Sequence, residues 1–112
     1  MSNNLCTMVN THQINIINSV LQKYSPQKIG LFGSRVSGNE HEKSDLDILV
    51  SFKNNGKSPY SLFELLSIEK TLEHKLGFPV EIVNEINIKN STLKASIFNN
   101  LIIIYENLKP AV

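Results

Sequence analysis

The stretch FGSRVSGNEHEKSDLD, residues 32–47, connects two predicted strands. The apolar run that leads into it, residues 28–32, is bounded by a proline and a glycine and is typical of a short strand. The run that follows it, residues 46–52, carries β-favouring residues and ends in the polar loop KNNGKSP. A Gly-Ser pair therefore falls at the end of one strand, and an Asp-x-Asp triplet falls at the start of the next.

The remaining elements follow from the spacing of apolar residues. Helices are predicted over residues 11–24, 59–76 and 90–100, and strands over residues 80–84 (VEIVN) and 102–106 (IIIYE). The order of helices and strands does not alternate strictly, so the pattern favours a mixed sheet over a doubly wound parallel one. We expect an α/β (α+β) fold: a small mixed β-sheet of three to four strands with helices packed on it.

Two glutamates, Glu69 and Glu73, fall on the leucine-rich face of the second predicted helix. Such a face is usually buried, so the carboxylates require an explanation. Either they lie at the rim of the face, where they reach water, or part of the face meets a partner protein. The sequence leaves both interpretations open.

Length and composition limit the classes of protein to consider. With 112 residues, 41% hydrophobic and 19% charged, we expect one compact domain spanning residues 1–112. The 11 basic and 10 acidic side chains argue against a protein that binds a nucleic-acid backbone, but not against a nucleotide ligand. Cys6 is the only cysteine, and no signal peptide or membrane-spanning run is apparent. We therefore expect a cytoplasmic protein without membrane contact.

The two aspartates of the opening stretch have the spacing of a metal site. Side chains two residues apart on a strand project from the same face, so Asp45 and Asp47 would present both carboxylates to one point, while Leu46 faces the core. Adjacent carboxylates repel each other unless a cation lies between them, and Mg²⁺ prefers oxygen ligands. Gly33 and Ser34 would complement this site, because glycine permits close approach and free N–H groups can hold a phosphate.

Two further residues are candidates for the same site. Glu81 lies among apolar neighbours in the third strand and could pair with Asp45 and Asp47; alternatively, it is an acid on the solvent face of an edge strand. Three acids around metal ions suit nucleotidyl transfer, in which one of them also accepts a hydroxyl proton. Arg35 flanks the site and could offset triphosphate charge, although a solvated loop position explains it equally well.

These residues resemble a known family. LFGSRVSG and SDLDILVSF, with ten residues between Ser34 and Asp45, are similar to the motif of the nucleotidyltransferase superfamily related to DNA polymerase β. The short length indicates its minimal branch, the MNT domain. The segment SLFELLSIEKTLEHKLGFPVEIVNE resembles the helix and third strand that follow the motif, and IIIYE resembles the last strand. The resemblance covers about residues 27–106.

The resemblance implies roles for individual residues. Gly33 and Ser34 would hold nucleotide phosphate, with Arg35 beside them. Asp45 and Asp47 would bind Mg²⁺. Glu81 would be the third acid, at a position where the family usually has aspartate.

The resemblance also implies an activity: transfer of AMP from ATP to a hydroxyl, expected on a tyrosine, of a HEPN-domain toxin, with this chain acting as the antitoxin. A homo- or hetero-oligomer is compatible with it. Two alternatives stay open, namely transfer to a small-molecule acceptor and a non-catalytic subunit that neutralises its partner by binding.

Overall fold

The computed structural model describes residues 9–33, 45–52 and 60–107. Within these ranges the chain forms three α-helices and four strands. The elements are α1 (Thr11–Leu21), β1 (Pro26–Phe32), β2 (Leu46–Phe52), α2 (Leu62–Leu76), β3 (Val80–Asn84), α3 (Ser91–Asn99) and β4 (Ile102–Glu106). The predicted fold class is confirmed, and β2, β3 and β4 have the predicted bounds.

The four strands form one mixed sheet in the order β3-β2-β1-β4. β1 pairs antiparallel with both of its neighbours, whereas β2 and β3 run parallel. The parallel pair requires a crossover, and α2 supplies it. Since β2 and β3 both start at the same end of the sheet, the residues that open these two strands lie side by side.

The main core lies between one face of the sheet and the helices α1 and α2. Alternate strand residues point toward these helices and are fully buried, as are the inward-facing residues of both helices. The central members are Ile17, Leu21, Ile29, Leu31, Leu46, Ile48, Val50, Ile68 and Leu72. Burial of each such side chain contributes roughly 1.5–3 kcal/mol, so this face supplies most of the stability of the fold.

The opposite face of the sheet has a thinner cover. Leu49 is fully buried there but does not belong to the main core cluster, and Ile97 of α3 is buried separately as well. Gly30 of β1 makes close packing possible, because a Cβ at this position would lie 2.6 Å from Leu101 Cδ1. The glycine that weakens β1 in the sequence therefore allows the chain beyond α3 to cross the sheet closely.

Capping side chains set where the helices begin and end. Ser61 caps α2, with Ser61 Oγ accepting from the Glu64 N–H and Glu64 Oε1 accepting from the Ser61 N–H, at 3.2 and 2.8 Å. Among the described residues α2 thus begins at Leu62, later than predicted, and Pro59 lies outside them. Gly77 ends the helix with φ +89°, a conformation that favours glycine.

The first helix is shorter than predicted. α1 ends at Leu21 and continues as a 3-10 turn over Gln22–Tyr24, so the predicted bound at Tyr24 includes this tighter turn. The next strand begins at Pro26, two residues earlier than expected. Among the described residues, no helix is both long and apolar enough to cross a bilayer.

Candidate active site

Asp47 and Glu81 lie next to each other on neighbouring parallel strands. They are partners in the β2–β3 register, and the residues on either side of them, such as Leu46 and Ile82, are buried in the main core. Both carboxylates therefore project from the face opposite to α1 and α2. Glu81 is exposed on an edge strand, as one interpretation of the sequence proposed, and it also lies beside Asp47, as the other proposed.

The negative charges of Glu81 and Asp45 both affect the pKa of Asp47. The pKa of Asp47 is raised from 3.8 to about 6, first by burial, then by the negative charges of Glu81 and Asp45, and last by a hydrogen bond with Glu81. Asp45 lies just before β2 and is exposed. The structure thus brings together the three acids that the sequence singled out, with Asp47 between the other two.

Gly33, directly after β1, lies against the Asp47 carboxylate. Its φ is +90°, and a Cβ added there would overlap Asp47 Oδ2 and lie 3.0 Å from Asp47 Cγ. Only glycine fits both constraints, because other residues rarely adopt this conformation and would collide with the carboxylate. The end of β1 therefore meets the Asp47 carboxylate directly, as expected if phosphate and metal are bound side by side.

The other two candidates, Ser34 and Arg35, lie outside the described residues. Their assignment to the phosphate-binding end stays a prediction from the sequence. Their position in the chain, directly after Gly33, connects them to the described part of the site.

The acids suit a divalent cation in their chemistry. All three offer carboxylate oxygens, which Mg²⁺ prefers. A cation beside Asp47 would offset the like charges that raise its pKa. Within the described ranges, no three His, Cys, Asp or Glu side chains are already arranged as a metal-binding group. The charges of Asp45 and Glu81 each act on Asp47. The role of the three acids as metal ligands stays a prediction.

One residue of this region was not singled out from the sequence. Phe32 is the partner of Asp47 in the β1–β2 register, is half-buried, and does not belong to the main core cluster. Directly opposed residues share a face, so its ring lies on the same side of the sheet as the acids. The period-two alternation of β1, with Ile29 and Leu31 in the core, was the signal that could have placed it.

The two glutamates of α2 have a different role. Glu69 Oε2 accepts from the Ile82 N–H at 2.8 Å, and Glu73 Oε2 accepts from the Val80 N–H at 3.0 Å. These N–H groups belong to the outer edge of β3, which is an edge strand. Carboxylates that occupy such groups prevent another chain from pairing there. The two side chains are half-buried at the rim, as the first interpretation of the sequence stated.

Comparisons with known proteins agree with this fold. The family model described as polymerase beta, nucleotidyltransferase matches residues 15–109. A Methanocaldococcus jannaschii protein, provisionally named a protein adenylyltransferase, is 38% identical over 82 residues, which cover 73% of this chain and 80% of the relative. Protein adenylyltransferase MntA of Thermococcus cleftensis is 37% identical over 73 residues, or 65% and 70% of the two chains.

Solved structures show the same fold. A chain from the crystal structure of a toxin–antitoxin with AMP-PNP superimposes with a TM-score of 0.73 at 22% identity, covering 85% of this chain and 74% of that one. A chain from the complex of a tri-AMPylated Shewanella oneidensis HEPN toxin with its MNT antitoxin gives a TM-score of 0.66 at 18% identity, with coverage of 86% and 71%.

Proposed function

The chain belongs to the polymerase beta nucleotidyltransferase family, and from this premise we propose that it is an antitoxin that transfers AMP from ATP to a hydroxyl of a HEPN-domain toxin. Relatives at 37–38% identity carry the name protein adenylyltransferase. One structural neighbour is a complex of an AMPylated HEPN toxin with an MNT antitoxin. The observation that supports the proposal is the pairing of Asp47 with Glu81 in the β2–β3 register, with Asp45 close enough for its charge to raise the pKa of Asp47.

The described residues suit the binding step. Gly33 leaves room beside the Asp47 carboxylate and follows β1 with a positive φ that favours glycine. Gly33 with Ser34 would hold the phosphates, and Arg35 would offset their charge. Asp45, Asp47 and Glu81 would hold Mg²⁺, which when bound supplies charge neutralisation at the phosphates.

In the transfer step, the oxygen of the acceptor hydroxyl attacks the α-phosphorus of ATP. A new P–O bond forms to the acceptor, the bond between the α-phosphorus and the bridging oxygen breaks, and pyrophosphate leaves. One of the three carboxylates takes the hydroxyl proton. Asp47 is in register with Glu81 and lies against Gly33, so the phosphates and the acceptor hydroxyl would meet at this point of the sheet.

The proposal is tested by incubating the purified chain with ATP labelled in its α-phosphate, Mg²⁺ and a HEPN-domain protein from the same organism. We expect label on the HEPN protein, and mass spectrometry should find added AMP on a tyrosine. The double variant Asp45→Asn/Asp47→Asn should give no label. The matched control is Glu69→Gln/Glu73→Gln, which makes the same carboxylate-to-amide changes on the other side of β3 and should keep labelling.

Two results would contradict the proposal. Label on a low-mass acceptor with none on the HEPN protein would indicate a small-molecule substrate. Neutralisation of the toxin in cells by the Asp45→Asn/Asp47→Asn variant, at the level of the unchanged chain, would indicate inhibition by binding alone. Omitting Mg²⁺ should abolish labelling. Labelling that persists in the presence of a chelator would show that transfer does not require Mg²⁺.

A further inference from the structure

Three side chains of different character lie in one row across the face of the sheet opposite to α1 and α2. Asp47 is the register partner of Glu81 on β3 and of Phe32 on β1. Directly opposed residues of an antiparallel pair share a face, with their Cβ atoms about 4.5–5.5 Å apart. The Asp47 carboxylate therefore has an acid on one side and an aromatic side chain on the other.

The apolar character continues from Phe32 along β1. Gly30 and Phe32 are two residues apart on this strand, so both positions face the same side of the sheet. The side chain of Leu101 fills the space that a Gly30 side chain would take, because a Cβ at Gly30 would lie 2.6 Å from Leu101 Cδ1. Leu101 and Phe32 are both half-buried, and neither belongs to the main core cluster. Two neighbouring apolar side chains therefore lie on the β1 side of Asp47.

Phe32 is close to both parts of the site that the proposed function uses. It is the last residue of β1, and Gly33, which follows it, lies against the Asp47 carboxylate. Phe32 is thus adjacent in the chain to the residue proposed to hold phosphate, and adjacent in space to a residue proposed to hold the cation. The core residues of the same strand, Ile29 and Leu31, are fully buried on the other face.

A nucleoside triphosphate has the same division into a charged part and a flat apolar part. With phosphates at Gly33 and a cation at Asp47, the α-phosphate would lie beside Asp47, and the base is joined to this phosphate through the ribose. On one side of Asp47 the base would meet the charged Glu81. On the other side Phe32 offers an aromatic ring, on which any base can stack because each base has a π-face.

We propose that Phe32 is a nucleotide-binding residue whose ring stacks on the base of the bound nucleoside triphosphate, with Leu101 extending the apolar surface. The contact recognises the flat shape of a base and not its hydrogen-bonding groups, so it does not select one base over another. The inference rests on the proposed function for the choice of a nucleotide as ligand. Binding of the nucleotide is measured without any acceptor, so the contact is tested separately from transfer.

The test compares two ligands, ATP and inorganic tripolyphosphate, which share a chain of three phosphates and differ in the nucleoside. Calorimetry on the full chain with Mg²⁺, in the absence of a HEPN-domain protein, measures both affinities. Phe32→Leu keeps an apolar side chain but removes the flat ring. We expect this variant to bind ATP about tenfold more weakly and to bind tripolyphosphate within about twofold of the unchanged chain.

Two further variants serve as controls. Phe32→Tyr keeps the ring and should retain the affinity for ATP. Phe63→Leu makes the same change as Phe32→Leu on α2, which covers the other face of the sheet, and should bind both ligands like the unchanged chain. Circular dichroism and thermal melting establish that each variant is folded. A measurement on the unchanged chain is independent of folding: ATP with a photoreactive azide on its adenine should cross-link to a peptide that contains Phe32 or Leu101.

Equal losses for ATP and tripolyphosphate in folded Phe32→Leu would show that the ring supports the site instead of contacting the base, and would overturn the proposal. Unchanged affinity for ATP, or cross-linking only to other peptides, would also overturn it. If Phe32→Leu weakens ATP binding selectively but the unchanged chain never labels a HEPN-domain protein, the base contact stands and the proposed acceptor fails. If labelling occurs and Phe32→Leu binds ATP normally, the proposed function stands and the base contact fails. An unchanged chain that binds neither ligand would contradict both.

Discussion

Strand β3 has carboxylates on both of its sides, and the two sets are in opposite electrostatic situations. On the side of β2, Asp47 faces Glu81 and feels Asp45, and its pKa rises to about 6. On the outer edge, the Glu73 carboxylate accepts the Val80 N–H and lies near Lys70, which lowers its pKa. The same chemical group is therefore hard to ionise on one side of the strand and easy to ionise on the other.

The difference separates a feature that serves a ligand from one that serves the fold. Carboxylates that meet N–H groups satisfy backbone donors and protect the edge of a sheet. Carboxylates that meet each other destabilise the folded chain when ionised, and such a placement is typical of sites that bind a cation or move a proton. Substitutions on the side of β2 should therefore reduce activity, those on the outer edge should leave activity unchanged, and the two sets should change stability in opposite directions.

The largest expected effect is on transfer. Asp47→Asn removes the central carboxylate of the site, and we expect AMP transfer to the HEPN protein to fall by at least about 100-fold, as when one key electrostatic group of an active site is lost. Glu73→Gln makes the same chemical change on the outer edge and should keep transfer within about twofold of the unchanged chain. The rate of label incorporation at saturating ATP measures both. Equal losses in the two variants would contradict the distinction between the two sides.

Asp47→Asn should also stabilise the chain at neutral pH when no divalent cation is present. The folded-state pKa of Asp47, about 6, lies above its ordinary value of 3.8. The folded chain therefore binds this proton more tightly, and its stability falls as pH rises from about 4 to about 6. The gain should be about 1 kcal/mol above pH 6, less than the full shift implies because Asp47 is only half-buried, and should disappear near pH 4.

Urea denaturation at several pH values measures this gain. Added Mg²⁺ should then raise the melting temperature of the unchanged chain, because a ligand that binds only the folded state stabilises it. Asp47→Asn should show little or no such rise. A gain that stays constant down to pH 4 would mean that the ionised carboxylate is not its cause.

Much of the site was predictable because it depends on strand alternation. The Asp-x-Asp spacing placed Asp45 and Asp47 on one face, and the apolar neighbours of Glu81 indicated a charge that needed a partner. What the sequence could not show was the register. Asp47 and Glu81 are neighbours because β2 and β3 run parallel and in step, which depends on contacts between residues 34 positions apart.

Residues whose roles depend on tertiary packing were harder to predict. Glu69 and Glu73 looked anomalous on an apolar helix face, since nothing in the sequence places the edge of β3 beside α2. Gly30 was expected to weaken β1, but its lack of a side chain leaves the space that the Leu101 side chain occupies. The ends of α1 and α2 differed from prediction because local capping and a 3-10 turn, rather than apolar periodicity, set them.

Glu69→Ala should destabilise the chain without affecting transfer. The substitution removes the acceptor of the Ile82 N–H. Because the freed donor can bind water, we expect a loss of about 1 kcal/mol, the net value of an ordinary hydrogen bond. The free energy of unfolding from urea denaturation measures the loss. A second measurement, the tendency to self-associate by light scattering, should increase because the edge of β3 becomes open to pairing. Normal stability together with a loss of transfer would assign Glu69 to the site instead.

The smallest effect is expected for Glu73→Gln, because the amide oxygen can still accept the Val80 N–H and only the charge is lost. Since the pKa of Glu73 in the folded chain lies below its ordinary value of 4.5, its charge stabilises the folded state above that pH, and this contribution disappears as pH falls through the folded-state pKa. The variant should melt slightly below the unchanged chain at pH 6–7, and the two melting curves should converge in acid. Both differences vanish in acid and grow as pH rises, but they have opposite signs, since Glu73→Gln melts below the unchanged chain and Asp47→Asn melts above it. Melting both variants across one pH series therefore compares the two sides of β3 directly, and parallel pH profiles would show that they are electrostatically alike.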